Sequence, residues 1–490
     1  MSLGSESTAR RAFSPPSWAG RLPVPLAGPG NSLFFWLFQA EDAIYNNNLL
    51  RWSLLGRFSR LTTGNGPISF DSNPTRLVPN PYSWTRFGHV LYVDQPVGTG
   101  YSTASEPYPV VDNDVVTSNF YSWLQSFFAY FPHLRSKQVH LMGESWAGIY
   151  IPSFASTIVD HQDSFPIDLR SMTIGDGSIG NGAAMASVTI AKFLESQQSM
   201  IHMPGDILAV FKEASETRGF GDVLEKVGQF PPEGTIYIPG DPEGLNSNRR
   251  RSLSGILNGT CSTRPTTAEE VRTSIHSSCF GPCATFSTAW DYMATRANEL
   301  CDYDIYDISH DCQTIDHFSL VAQYFIRADV QIASNVLPSA SASTSDSAAS
   351  PASSVPTTPS PYAYCNQTVL VALGSGQPPQ PPVYSILPDL VTSHNISLHI
   401  YFGEYDMLLN HYGAELILQN MTWNGPKHSG QKNQKTPREL AKSQQPGDGA
   451  SERGVTYHRF KGAGHSVFLS KPREMFAYVR DVVVAPTVPT

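Results

Sequence analysis

A serine in a glycine-flanked turn is the strongest candidate for chemistry in this chain. Residues 138–142 are strand-like, residues 143–148 have the sequence Gly-Glu-Ser-Trp-Ala-Gly, and a helix-like segment begins at Ile149. A sharp turn between a strand and a helix presents a serine hydroxyl outward, and the first N–H groups of the helix face a developing oxyanion. The pattern therefore predicts Ser145 as a nucleophile and the Trp146 N–H as an oxyanion donor.

The serine segment continues in a way that resembles a known family. Residues 143–152 are close to the Gly-Glu-Ser-Tyr-Ala-Gly-x-Tyr-x-Pro signature of the serine carboxypeptidases of the carboxypeptidase Y and cathepsin A type, with Trp146 in place of tyrosine. Residues 94–102 and 328–331 agree with the same resemblance, which extends from about Ser17 to the C-terminus. It implies the α/β-hydrolase fold, with a mostly parallel central sheet flanked by helices and a helical cap insertion.

Two downstream segments supply the acid and the base that a serine nucleophile needs. Residues 403–406 follow a strand-like run and resemble the family's Gly-Asp-x-Asp turn, which implies Asp406 as the catalytic aspartate. Residues 462–465 match the family's Gly-Ala-Gly-His and imply His465 as the general base. Taken singly, either residue fits an ordinary loop position. The order Ser, Asp, His is the order of this fold, so the three together predict a triad.

One segment departs from the family pattern. Before Gly64 the family has Trp-Leu-Asn-Gly-Gly-Pro-Gly-Cys-Ser-Ser, a turn that supplies the second oxyanion donor, whereas here Trp52 is followed at 53–60 by Ser-Leu-Leu-Gly-Arg-Phe-Ser-Arg. Loss of one oxyanion donor costs on the order of 10² to 10³ in turnover, so we expect impaired activity. A gene-model error or alternative exon boundary at this segment and a genuine paralogue that has lost activity both remain open.

Recognition of the substrate is affected by the same departure. In the family, the asparagine of the missing turn and the glutamate before the nucleophile hold the substrate's terminal carboxylate, and Glu144 matches that glutamate. Gly64 stands where the family has the glutamate of Glu-Asn-Gly-Pro. Because paired carboxylates share a proton at low pH, loss of this neighbour predicts a weaker preference for acid than the family shows.

Strand-like and helix-like segments alternate along the chain, which predicts an α/β fold with a mostly parallel sheet. The strand-like runs are residues 32–37, 90–94, 139–142, 172–174 and 398–402. We predict four segments: an N-terminal core part at 17–180, a helical cap at 181–325, a disordered Ser/Ala/Thr/Pro loop at 338–361 and a C-terminal core part at 362–490.

Composition and charge exclude several classes of function. The net charge is −9, and no run of like charges indicates a nucleic-acid partner. No stretch approaches the roughly 18 to 20 apolar residues of a membrane span. Residues 1–30 lack the apolar run of about 7 to 15 residues that a signal peptide carries. The expected substrates are peptide or protein C-termini, with no cofactor and no metal, and the oligomeric state stays open.

All cysteines lie in the second half of the chain. Six cysteines allow 15 disulfide pairings, and the sequence does not choose among them. A zinc site is the weaker hypothesis, because Cys279 and Cys283 lack a second close pair of ligands. The resemblance implies that Cys365 lacks its usual partner, which belongs to the missing turn. The six are Cys261, Cys279, Cys283, Cys301, Cys312 and Cys365.

Four sequons accompany these cysteines. They predict glycosylation and a secretory-pathway protein, extracellular or vacuolar, although no clear signal peptide is present. The candidate acceptors are Asn258, Asn366, Asn395 and Asn420.

Three functions fit these observations. The first is hydrolysis of C-terminal peptide bonds by Ser145, Asp406 and His465. The second keeps the triad but transfers acyl groups or cleaves esters, because a fold does not determine the substrate. The third is a catalytically inactive relative that binds peptides in the former cleft.

Overall fold

The computed structural model describes most of the chain. The described residues are 15–55, 61–62, 64–70, 77–110, 112–180, 182–228, 236, 264–276, 284–295, 304–309, 317–337, 362, 366–375, 382–423, 431–432, 448–452 and 454–484. The predicted disordered loop at 338–361, all six cysteines and Asn258 lie outside them. The predictions made for these residues therefore stay predictions.

A central sheet organises the described part of the chain. There, nine strands form the order β1-β2-β6-β3-β7-β8-β9-β13-β12, while β4 pairs with β5 and β10 with β11. The strands are β1 Ser17–Pro23, β2 Ser32–Phe38, β3 Asn48–Leu55, β4 Ile68–Phe70, β5 Leu77–Pro79, β6 His89–Gln95, β7 Gln138–Glu144, β8 Leu169–Gly175, β9 Ser397–Gly403, β10 Thr422–Trp423, β11 Gln431–Lys432, β12 Asp448–Glu452 and β13 Val455–Phe460. All five predicted strand-like runs fall within these strands.

The middle of the sheet is parallel. Neighbouring strands from β6 through β3, β7, β8 and β9 to β13 run in the same direction. Strands β1, β2 and β12 pair antiparallel at the edges. Strands β6, β7 and β9 are buried along almost their whole length, as expected for a parallel sheet covered on both faces. Active sites of such sheets lie at the carboxyl ends of the strands.

Helices cover both faces of the sheet. Among the described residues, no helix combines the length and the apolar character needed to cross a membrane. The α-helices are Asn113–Tyr130, Ala147–Asp160, Ile190–Ser196, Gln198–Ile201, Gly205–Thr217, Phe220–Gly228, Ala268–Ile275, Thr285–Thr295, His317–Phe325, Ala328–Ala333, Gln367–Ser375, Pro382–Ser385, Leu387–Thr392, His411–Asn420, Val467–Ser470 and Pro472–Tyr478. Short 3-10 and π segments are Pro25–Ala27, Ala43–Tyr45, Trp84–Arg86, Pro132–Leu134, Ala183–Ser187 and Val479–Val484.

The helix Asn113–Tyr130 shows how local sequence builds one of these layers. Asp112 caps the helix by accepting a hydrogen bond from the Val115 N–H at 2.9 Å. This bond satisfies a backbone donor that the first turn leaves open. The aromatic face of the helix packs on the sheet, where Phe127 meets Phe35 of β2 edge to face at 5.5 Å between ring centroids. The helix is therefore fixed to the sheet by apolar burial.

Between β8 and β9 the chain forms a separate helical layer. Its apolar cluster includes Phe193, Phe211 and Tyr292. The helix His317–Phe325 instead places Val321 and Phe325 in the cluster that covers one face of the sheet. This packing favours a cap that ends before the predicted boundary at residue 325. The division into domains stays a proposal.

Two buried histidines lie in the central strands. Nδ1 of His140 on β7 is 2.8 Å from Ser171 Oγ, and Nδ1 of His399 on β9 is 2.9 Å from Thr456 Oγ1. Burial lowers the pKa of His140 to about 3, with His399 adding to the effect. Burial also lowers the pKa of His399 to about 4. Both imidazoles are therefore neutral in the folded protein near neutral pH.

We expect acid to destabilise the fold through these histidines. An unfolded histidine binds a proton below about pH 6.5, whereas folded His140 stays neutral until a pH of about 3. Between about pH 6.5 and pH 3 the unfolded state therefore binds more protons than the folded state. The free energy of unfolding falls by a few kcal/mol as the pH drops to about 4. Calorimetric Tm values between about pH 7 and pH 4 should fall less for His140→Asn than for the wild type.

The exposed His161 provides the matched control for this measurement. It lies just beyond the helix Ala147–Asp160, so His161→Asn should leave the pH dependence of Tm unchanged. If Tm depended on pH equally in the wild type and His140→Asn, the assignment of His140 as a buried neutral histidine would be contradicted.

Candidate active site

Ser145 lies on a strained turn at the carboxyl end of β7. The strand ends at Glu144 and a helix begins at Ala147, so the chain turns at Ser145. Ser145 has a φ of +62°, in the left-handed region that residues other than glycine rarely adopt. Its carbonyl oxygen accepts hydrogen bonds from the N–H groups of Gly148 and Ser178, each at 3.0 Å. These contacts hold the strained backbone in the geometry of a nucleophile elbow.

The loop after β8 packs directly against this turn. A Cβ atom at Gly148 would lie 2.6 Å from the backbone nitrogen of Ser178, so the position has no room for a side chain. The Ser145 N–H donates to Gly175 O, at the end of β8, at 2.9 Å. The nucleophile turn therefore depends on the segment that begins with Asp176.

The Trp146 N–H is available at the start of the helix. Among the described residues, no hydrogen-bond acceptor is found for this group. A backbone donor directly after the nucleophile is where a nascent oxyanion is bound in this type of turn. The geometry agrees with the predicted role of Trp146.

Strand β3 extends into the first part of the divergent segment. Residues 53–55 continue strand β3, whose pairing with β6 extends to Leu55 opposite Gln95. Residues 56–60 lie outside the described part of the chain.

Asp406 and His465 form a buried pair at the ends of β9 and β13. His465 Nδ1 lies 2.6 Å from Asp406 Oδ2. The side chains are 2% and 0% exposed. Asp406 Oδ1 also accepts a hydrogen bond from the Leu409 N–H at 3.2 Å. A carboxylate that receives Nδ1–H fixes the tautomer in which Nε2 accepts a proton. The structure thus brings together the predicted acid and base.

Residues 304–309, which belong to the predicted cap, contact this pair through their backbone. Tyr306 O accepts a hydrogen bond from the His465 N–H at 2.7 Å, and the two rings lie 5.0 Å apart between centroids. Ile305 O accepts from the Met407 N–H at 3.1 Å, next to the candidate acid. Residues 304–309 therefore hold the backbone of both loops, a role that no sequence motif indicated.

Glu144 lies beside the imidazole. None of its side chain is exposed, and Oε1 accepts a hydrogen bond from Ser466 Oγ at 3.1 Å and lies 3.9 Å from His465 Nε2. Among the hydrogen bonds of the described residues, none joins Ser145 Oγ to His465 Nε2. A fully buried Glu144 presents no oxygen to a substrate in this conformation, so its predicted contact with a substrate carboxylate stays a prediction.

Asp176 is a further acid at this edge that the motif analysis missed. It is fully buried directly after β8, and one oxygen each of Asp176 and Asp406 and a ring nitrogen of His465 lie within 4.8 Å of one another. The signal that could have found it is its place after the strand-like run 172–174, because the ends of parallel strands meet at one edge.

The sequon asparagines in the described residues differ in exposure. Asn395 is exposed, and Asn366 is half-buried with Nδ2 donating to Gly98 O at 2.9 Å. Asn420 is buried, donates from Nδ2 to Ile236 O at 3.2 Å and accepts from the Ile236 N–H at 3.1 Å. A glycan on Nδ2 would disrupt this pairing and enter buried space. The structure therefore argues against the predicted glycan at Asn420 and leaves Asn395 as the best-placed acceptor.

Comparison with known proteins places the site in a family. The model of the serine carboxypeptidase family matches residues 13–207 and 245–485, ranges that include Ser145, Asp406 and His465. The chain belongs to the serine carboxypeptidase family. This confirms the resemblance carried by the three motifs, and serine carboxypeptidases are hydrolases.

Individual relatives agree with this membership. A carboxypeptidase Y homolog of Arthroderma benhamiae is 41% identical over 485 residues, which cover 96% of this chain and 90% of that protein. Serine-type carboxypeptidase F of Aspergillus niger is 25% identical, over 83% of this chain and 69% of that protein. The similarity to the first of these extends over nearly the whole length of both chains.

A solved structure shows the same fold. The crystal structure of Kex1Δp, a prohormone-processing carboxypeptidase from Saccharomyces cerevisiae, matches with a TM-score of 0.64 at 19% sequence identity. The match covers 96% of this chain and 91% of that chain. The predicted α/β-hydrolase fold, with its mostly parallel sheet flanked by helices, is confirmed.

Proposed function

We propose that this serine carboxypeptidase hydrolyses the C-terminal peptide bond of peptides and proteins through Ser145, Asp406 and His465. The observation that carries the proposal is the buried His465–Asp406 pair, joined at 2.6 Å, at the same sheet edge as the strained Ser145 turn. Each of the three follows the carboxyl end of a different central strand. Metal ions and cofactors have no part in the proposed reaction.

The proposed reaction begins with attack of Ser145 Oγ on the scissile carbonyl. His465 Nε2 accepts the serine proton and delivers it to the leaving amine, while Asp406 orients the ring and stabilises the imidazolium. The Trp146 N–H stabilises the oxyanion. Water then hydrolyses the acyl-enzyme by the reverse proton path. In this scheme His465 moves from its position near Glu144 to hydrogen-bond Ser145 when substrate binds, since catalytic hydrogen bonds often tighten only in the complex.

Glu144 is assigned to recognition of the substrate's terminal carboxylate. In this proposal, a shift of the loop that carries Ser466, whose Oγ donates to Glu144 Oε1 at 3.1 Å, exposes the buried carboxyl to the substrate. A bond to the free carboxylate is what would restrict cleavage to the C-terminal residue. The proposed substrate is therefore a peptide with a free C-terminus.

Product analysis distinguishes the candidate activities. The purified chain is incubated with an N-blocked peptide with a free C-terminus, the same peptide with a C-terminal amide, and a simple ester. Release of the free amino acid from the first peptide, with much slower release from the amide, is the expected result. Cleavage of the ester alone would favour an esterase. If none of the three substrates is cleaved but peptide still binds, the chain is a non-catalytic relative. The divergent segment 53–60 is the observation that favours this second candidate function.

We expect the divergent segment to limit turnover. Replacing the eight residues 53–60 with the nine residues Leu-Asn-Gly-Gly-Pro-Gly-Cys-Ser-Ser, the family sequence after Trp52, should raise kcat/KM for peptide hydrolysis by roughly 10² to 10³, because it restores the second oxyanion donor. A Ser/Ala segment of the same length is the control and should give no gain. Equal rates for the grafted and original chains would contradict the impairment.

The sequons support a proposed location in the secretory pathway, extracellular or vacuolar. Among the sequon asparagines that the structure describes, the exposed Asn395 is the acceptor most compatible with the fold. When the chain is expressed in a glycosylating host, Asn395→Gln should remove one glycan from the intact mass and Asn420→Gln should remove none. Loss of a glycan from Asn420→Gln alone would contradict the buried geometry of Asn420.

A further inference from the structure

Asp176 has contacts that tie it to the strand carrying the candidate acid. It is fully buried directly after β8, with a φ of +40°. Its N–H donates to Tyr401 O, and its Oδ1 accepts from the Gly403 N–H, each at 2.8 Å. Both partners lie on β9, three to five residues before Asp406. Asp176 is therefore held against the base of the turn that carries Asp406.

The second carboxyl oxygen of Asp176 lacks such a contact. Among the described residues, no hydrogen-bond partner is found for Oδ2, although this atom is buried. One oxygen of the Asp176 carboxyl lies within 4.8 Å of one oxygen of the Asp406 carboxyl, and burial, together with contact with Asp406, raises the pKa of Asp176. A buried ionised carboxylate without donors is costly, and two adjacent buried carboxylates do not both ionise. One proton must therefore be shared between the two acids.

Hydrogen bonding decides which acid holds this proton. Asp406 already accepts two hydrogen bonds, from the His465 Nδ1–H and from the Leu409 N–H. Asp176 receives the Gly403 N–H. Burial raises the pKa of the Asp176 carboxyl well above its usual range, and the charges of Asp406 and Glu144 raise it further. The proton therefore lies on Asp176.

The other titratable groups near Asp176 do not change this assignment. His465 faces the cluster from the loop after β13, and Glu144 faces it from the end of β7. Tyr457 on β13 also faces Asp176, and burial raises the pKa of its phenol well above the usual range, so that it stays neutral. The negative charge of Glu144 favours the neutral form of Asp176.

We propose that Asp176 is a positioning residue that remains protonated and donates a hydrogen bond from Oδ2 to the Asp406 carboxylate. This rests on the proposed triad, because Asp406 is the group it supports. With Leu409 and His465, Asp176 completes a set of donors that holds Asp406 in one orientation. At alkaline pH, ionisation of Asp176 places a second negative charge beside Asp406 and removes this donor.

Infrared spectroscopy tests the protonation state without requiring activity. Wild type, Asp176→Asn and Asp168→Asn are compared near neutral pH for the carbonyl stretch of a protonated carboxylic acid, with its deuterium shift. Asp168 is the matched control because it lies just before β8, with its side chain 41% exposed and paired to Arg170. Because burial also raises the pKa of the Asp94 carboxyl well above its usual range, the wild-type spectrum is compared with each variant as a difference spectrum. Asp176→Asn should remove a band that Asp168→Asn leaves in place. No lost band in Asp176→Asn, or loss of the same band in Asp168→Asn, would overturn the proposal.

The kinetic test separates positioning from a purely structural role. Asn keeps a donor towards Asp406, whereas Ala removes it, so Asp176→Asn should retain kcat/KM while Asp176→Ala loses about 10²-fold, mainly in kcat. The alkaline limb of the pH profile of kcat/KM should shift to higher pH in Asp176→Asn, because the asparagine side chain does not ionise. If Asp176→Ala fails to fold, the pH profile of Asp176→Asn still decides. An unshifted limb in Asp176→Asn, or unchanged kcat in folded Asp176→Ala, would contradict the role.

Failure of the proposed function gives a different pattern. If the chain hydrolyses no peptide but Asp176→Asn alone removes the infrared band, Asp176 is protonated as proposed and the triad assignment is wrong. If hydrolysis depends on Ser145 but no infrared band depends on Asp176, the triad assignment stands and the proposed role of Asp176 is wrong.

Discussion

Ser145→Ala is expected to abolish peptide hydrolysis. The alanine keeps the fold of the turn but removes the only atom that attacks the carbonyl in the proposed reaction. Removal of the nucleophile from an intact serine hydrolase costs roughly 10⁶ in kcat, so the rate should fall to background. Release of the C-terminal amino acid from an N-blocked peptide, followed by chromatography, measures the loss.

A serine in the adjoining helix provides the control for this substitution. Ser153 is half-buried, and its Oγ donates to Ile149 O within the same helix, at 3.1 Å. Ser153→Ala should hydrolyse peptide at the wild-type rate. Retention of activity in Ser145→Ala would mean that another residue performs the attack.

Asp406→Asn is the second substitution expected to have a very large effect. The amide carries no charge to stabilise the imidazolium and favours the wrong histidine tautomer, which in another serine protease costs about 10⁴ in kcat. The 2.6 Å contact with His465 Nδ1 shows that this carboxylate is in direct contact with the ring. We therefore expect a loss of about 10⁴ in kcat with little change in KM, measured by peptide hydrolysis at saturating substrate.

The control for this loss is a surface acid on another helix. Asp389 is exposed and lies within Leu387–Thr392, so Asp389→Asn should be without effect on turnover. A loss of less than about 10-fold in Asp406→Asn would remove Asp406 from the triad.

The parts of the site that could be predicted from the sequence are those with local signals. Ser145 follows a strand-like run and precedes a helix, and its turn has the small residues that the strained backbone requires. The central strands were predictable because buried parallel strands are continuous apolar runs, as in β6 and β7. The order of Ser145, Asp406 and His465 then indicated their common position at one edge.

The supporting residues could not be predicted because their roles depend on contacts between distant segments. Asp176 acts on a residue 230 positions later in the chain, and nothing near it in sequence shows that Oδ2 is buried without a donor. Tyr306 contacts His465 through its backbone carbonyl, which any residue type provides. Likewise, the pairing of Asn420 with Ile236 overrides a sequon that local sequence alone supports.

The most direct test of the central claim is to map the adduct of an active-site serine reagent. The chain is treated with a fluorophosphonate, digested and analysed by mass spectrometry, with Ser145→Ala treated in parallel. We predict one phosphonylated residue, Ser145, and no adduct in Ser145→Ala. An unmodified Ser145 in folded wild-type protein, or an adduct on a different serine, would contradict it.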